Sequence, residues 1–232
     1  MKSKLVVIAI MLFASGCAAA QGINTVKYDP PTPPKVKNEV VIAKPYTEVW
    51  DELVKELSKS FYVINNIDKE SNIINVSVNS NQPARYADCG KTHRSYTQGD
   101  SKEVFYYDVA GTSEFKVATP LQPDKNFSYF VLVRREPTLE GRANIYIAPS
   151  EIDKNKTVVI VNASYVFTAR AKGQVFAKNF LGNVVSYERM PEETSIISFN
   201  TNSPGSIGGT GEKVTCCSTG KLEKDIIGMV SK

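Results

Sequence analysis

The chain has one histidine, one tryptophan and four cysteines among 232 residues. It contains no G-x-S-x-G, no G-x-x-x-x-G-K-[ST] and no C-x-x-C, and beyond its first residues no apolar run is long enough to span a bilayer. Each absence removes a class of chemistry. A Ser–His–Asp hydrolase would have to use His93, which stands in a polar stretch without a nucleophile elbow to serve it. The glycines at Gly205, Gly208, Gly209 and Gly211 fail the spacing of a phosphate loop, and "NTNSPGSIGGTGE" (Asn200–Glu212) reads as a flexible linker. A zinc site would need His93 with Cys89, Cys216 or Cys217. "CGKTH" supplies two ligands, but the second paired motif is missing. Adjacent Cys216 and Cys217 lack the spacing of a dithiol redox motif. The reading is therefore of no catalytic set, no metal and no cofactor.

What is present begins with an address. "MKSKLVVIAIMLFASGC" sets Lys2 and Lys4 before nine apolar residues, Leu5 to Phe13, and small residues then lead to Cys17. This is the three-part pattern of an export signal, too short for a spanning helix. "ASGC" resembles the lipobox of bacterial lipoproteins, which implies lipidation at Cys17 after cleavage behind Gly16. The other reading is an ordinary secreted chain cut near Ala18–Ala20. Ala18 rather than Asp after the cysteine implies the outer membrane, facing the periplasm, with the inner membrane the lesser alternative. Several acyl chains would anchor firmly, at about 0.8 kcal/mol per buried methylene. Removing Met1–Gly16 takes two lysines from 28 basic residues, leaving 26 against 24 acidic, a net of +2. Such a balance offers nothing to nucleic acid.

The expected organisation is a leader at 1–16, a lipidated cysteine and proline-rich tether at 17–38, and one α+β domain at 39–232. The tether reading rests on "YDPPTPPKVKN", with four prolines in five positions from Pro30, which favours extended polyproline geometry. "EVVIAKP" opens the domain. In "YTEVWDELVKELSKSF", Val49, Trp50, Leu53, Leu57 and Phe61 recur at helical spacing, with acidic residues early and lysines late, as the helix dipole favours. Ile74, Val76 and Val78 alternate with Asn75, Ser77 and Asn79 as in a half-buried strand. Further strands are expected at Val104–Val109, Phe127–Arg135, Gly141–Ala148, Thr157–Ala169 and Thr194–Asn200. "EPTLEG" and "SEIDKNK" serve as turns and "LEGR" as a hairpin turn. Asn81–Glu103 reads as a strand-poor loop with solvated Arg85 and Arg94. Leu222, Ile226, Ile227 and Val230 line a closing helix that Ser218 or Thr219 can cap.

The stretch "KPYTEVWDELVKELSKSFYVINNIDKESNIINVSV" and the order of elements resemble the helix-grip domains of BamC-type outer-membrane lipoproteins. The resemblance implies a mostly antiparallel sheet with a long early helix and a C-terminal helix packed on one face. It implies a non-enzymatic envelope assembly or accessory factor that binds another envelope protein. The alternative is a module holding a small apolar ligand or lipid between sheet and helix.

With Cys17 used by lipid, Cys89, Cys216 and Cys217 remain in an oxidising compartment, enough for one bridge and one odd thiol. Cys89 would pair with Cys216 or Cys217. If Lys213–Cys217 is a strand, only one of the two sulfurs can face Cys89, and Val214 would share the face of Cys216, which favours Cys216.

Overall fold

Strands β9 (Phe127–Pro149) and β10 (Thr157–Asn179) are each 23 residues long and pair residue for residue, from Pro149 opposite Thr157 to Phe127 opposite Asn179. The computed structural model describes residues 21–119, 121, 126–179, 181–208 and 213–231. The odd-numbered residues of both strands face inward, so Leu139, Ala143, Ile145 and Ile147 meet Val159, Val161, Ala163, Tyr165 and Phe167 in the core. This is the period-2 signature of a sheet with one buried face.

Both outer edges of this hairpin are used in relay. Along β9 lie β4 (Ile73–Ser80), opposite 139–146, and then β8 (Ser113–Ala118), opposite 130–135. Along β10 lie β2 (Glu39–Ile42), β12 (Glu193–Asn200) and β11 (Val184–Arg189). β3 (Val63–Asp68) extends the sheet beyond β4. A second sheet joins β1 (Ile23–Asp29), β6 (Lys91–Gln98) and β7 (Ser101–Asp108), and a third joins β13 (Gly205–Ile207), β14 (Val214–Ser218) and β5 (Ala87–Asp88). Every pairing is antiparallel.

Helix α1 (Tyr46–Ser58) buries Val49, Trp50, Leu53 and Leu57 into the cluster formed with β4, β9 and β10. Phe61 does not continue that face. The helix has ended, and Phe61 is 64% exposed while its neighbour Tyr62 is buried. Helix α2 (Lys221–Gly228) buries Leu222 and Ile226, and Val230 beyond it is also buried, while Ile227 is only partly so. Its cap is Gly220 in the left-handed region, with Ser218 Oγ accepting from the Gly220 N–H at 3.0 Å. Fully buried Glu223 accepts a hydrogen bond from the Tyr165 hydroxyl of β10 at 3.1 Å. Burial, and then the nearby Glu223, push the Tyr165 pKa far up, so the hydroxyl stays a donor.

The α+β helix-grip expectation is corrected. Strands hold 59% of the described residues and helices 12%, both helices are short, and large antiparallel sheets carry the structure. Sequence periodicity missed strands that tertiary pairing creates. Asn81–Glu103 is not strand-poor, because it contains β5, β6 and the start of β7. "EPTLEG" and "LEGR" are not turns, because Glu136–Arg142 lies inside β9. Pro137 falls between the parts of β9 that pair with β8 and with β4, a gap where no donor is needed on that edge. Gly141 leaves room for its neighbours: a Cβ there would lie 3.0 Å from Val78 and 3.3 Å from Tyr165. The proline-rich segment also differs from a free spacer. β1 pairs with β6 along all seven of its residues, and the Asn202 side chain bonds the backbone N–H of Val36 at 2.9 Å.

Truncation separates the two ends of the predicted helical face. Leu53→Ala, at a fully buried position, is expected to lower unfolding free energy by about 2–5 kcal/mol in urea titrations. Phe61→Ala is expected to change it by less than about 0.5 kcal/mol.

Candidate functional site

Cys17 lies outside the described residues. Cys89 and Cys216 are joined in a disulfide, closing a sequence separation of 127. β14 is a strand, as the preference for Cys216 required, and it pairs with β5 through Cys217 opposite Asp88. Cys217 is a buried free thiol whose Sγ lies 3.6 Å from the Asp88 carbonyl, and burial pushes its pKa up. Tyr28 of β1 locks this corner. Its hydroxyl accepts from the Thr215 N–H at 3.0 Å and lies 3.1 Å from the carbonyl oxygens of Cys89 and Thr215. Gly90, at φ 75°, lets the strands close, since a Cβ there would sit 2.4 Å from the Asp29 carbonyl.

His93 faces the other way on β6. Its Nε2 is 3.1 Å from Asp29 Oδ2, and its ring meets Tyr106 edge-on at 4.8 Å. The pairing supplies a base and an orienting carboxylate, but no serine or threonine hydroxyl is hydrogen-bonded to the ring among the described residues. Nor do the described residues hold a group of three or more His, Cys, Asp or Glu able to bind a metal. Under α1, the space considered for an apolar ligand is filled by Val49, Leu53 and Leu57 against the sheet.

The cavity that does hold unusual chemistry was missed by sequence reasoning. It lies between the β1–β6–β7 sheet and the inner face of the β9–β10 hairpin, with a volume of about 200 Å³. Phe167 and Ala169 of β10 and Ile197 of β12 form its floor, and Glu193 and Ser195 stand on the solvent side. Two arginines enter it, Arg94 from β6 and Arg135 from β9. The Arg94 guanidinium lies over Phe115 at 4.6 Å and that of Arg135 lies 5.7 Å from the Tyr107 ring, while the two rings stack at 5.2 Å. Arg135 donates from Nη2 to the Val109 carbonyl at 3.3 Å. Its Nη1 and the Nε of Arg94 are buried without partners, and no described carboxylate lies within 4 Å of either group. Burial lowers the Arg135 pKa from its ordinary value. Tyr107 opposes that shift and the like charge of Arg94 reinforces it. A sequence signal did exist: Arg135 occupies an inward, odd-numbered place in the series Val131, Val133, Leu139, Ala143 and Ile145.

A second exposed feature lies at the far end of the hairpin. All six residues of β11 are exposed, Val184, Val185 and Tyr187 among them, and β11 pairs only with β10 among the described residues. Comparison with family models, with curated proteins and with solved structures finds no match, so geometry and sequence carry the functional reading.

Peptide mapping of the oxidised protein is expected to link Cys89 to Cys216 and leave Cys217 unpaired. In the native state Cys217 should resist alkylation at pH 8, and it should react once the chain is unfolded.

Proposed function

We propose that the chain is a non-enzymatic lipoprotein, anchored through Cys17 in the outer membrane and facing the periplasm, whose domain binds another envelope protein. The leader and its terminal cysteine support the address. The observation that carries the binding role is β11, an exposed edge strand with apolar side chains on its surface. Natural proteins usually blunt such edges with charge, proline or cover. An edge left open can accept an extended segment of a partner as one more strand, with backbone bonds giving affinity and side chains at alternate positions giving selectivity. Tyr187, in ring contact with Tyr129 at 5.5 Å, presents a large amphipathic surface of the kind enriched at interfaces. The filled core beneath α1 favours this reading over an apolar ligand held there.

Two experiments test the proposal. Cys17→Ala should move the protein from the membrane fraction to the soluble periplasm, and continued membrane partitioning would remove the anchor. A photo-crosslinker at Val185 should capture one envelope protein reproducibly in cells, and one at Ile152, in the loop joining β9 to β10, should not. Tyr187→Lys should abolish the crosslink without shifting Tm, because the position is exposed. Equal capture from both positions would contradict the docking reading.

A further inference from the structure

Four buried side-chain polar atoms lack a partner among the described residues: Arg94 Nε, Tyr96 Oη, Ser113 Oγ and Arg135 Nη1. They are not scattered. Arg94 and Tyr96 are on the same face of β6, and Ser113 of β8 stands directly opposite Arg135 of β9 in the strand register. All four belong to the region where the β1–β6–β7 sheet meets the large sheet. Two of them are on guanidiniums that enter one cavity and repel each other. A buried donor without a partner costs about 1–3 kcal/mol, and more when it carries charge. Two neighbouring cations with no described carboxylate within 4 Å form an arrangement that an anion would relieve.

We infer that the Arg94–Arg135 cavity binds a small organic anion, a carboxylate or phosphate group carried on an apolar body. The guanidinium forks match oxyanion geometry and give charge-assisted, directional bonds. The apolar part has its own place, because Phe115, Tyr107, Phe167 and Ile197 line the rest of the cavity. At about 200 Å³ the space holds roughly six waters at about 30 Å³ each, which suits a one-ring acid. The open side beside Glu193 gives a route in, and that carboxylate disfavours ligands with negative charge at both ends. This site is separate from the β11 edge and stands whether or not that edge binds a partner.

The test is isothermal titration of the full mature chain with benzoate, phenyl phosphate, inorganic phosphate and benzyl alcohol, at constant ionic strength. Benzoate or phenyl phosphate should bind saturably at one site per chain, and their ratio identifies the preferred anionic group. Benzyl alcohol, of the same shape without charge, should bind at least tenfold more weakly. Arg94→Gln and Arg135→Gln should each weaken binding tenfold or more, while Arg134→Gln, exposed on the opposite face of β9, should not. If Arg135→Gln fails to fold, Arg135→Lys keeps the charge but loses the fork and should give an intermediate loss. Absence of saturable binding by the wild-type chain at 10 mM would overturn the inference. So would benzyl alcohol binding as well as benzoate, or binding unaffected by Arg94→Gln.

Discussion

The unbroken register between β9 and β10 is the constraint on which the rest depends. Because side chains alternate faces, a single slip anywhere along the 23 pairs would carry every inward residue beyond it to solvent. The fixed register places Tyr165 where it can reach Glu223, and it brings Arg135 to the same inner surface as Phe167. It also determines where β4, β8, β2, β12 and β11 attach, since each pairs with a defined stretch of one outer edge.

Onto this spine the two ends of the described chain are clasped together. β1 directly precedes the proline-rich segment and β14 directly precedes the turn into α2, and Tyr28 bonds them at the corner where Cys89 meets Cys216. Closing a loop of that separation contributes up to about 4–5 kcal/mol in the chain-entropy account. The buried Tyr165–Glu223 bond then fixes α2 against β10. The chemistry of the cavity follows from the same geometry, because the small sheet packs against β8 and brings Arg94 into the cavity that Arg135 enters.

Local pattern revealed the parts whose periodicity is self-contained. α1 as far as Leu57, β4, β12, the loop between β9 and β10, and the Leu222 and Ile226 face of α2 were legible, as was a bridge from Cys89 to the cysteine pair, with Cys216 favoured. β6 was hidden because "KTHRSYTQ" has no apolar alternation, and its inward face is filled by Thr92, Arg94 and Tyr96 rather than by aliphatic residues. β9 was split in two because Pro137 and Gly141 resemble turn signals. Only the pairing map shows that Pro137 sits in a gap of one edge and that Gly141 makes room for a neighbouring ring. Arg135 ended an expected strand, Phe127–Arg135, but Arg94 was read as solvated in a loop, so losing β6 also lost the cavity.

The continuity of that hairpin can be measured directly. Spin labels at Ile152, in the loop at one end, and at Leu181, just past the other, occupy positions 98% and 70% exposed. With β10 extended over 23 residues at about 3.3 Å each, double electron–electron resonance should report a single separation above about 50 Å. A separation below about 35 Å would mean that the chain turns back within residues 157–179, and would contradict the register on which both the fold and the arginine cavity rest.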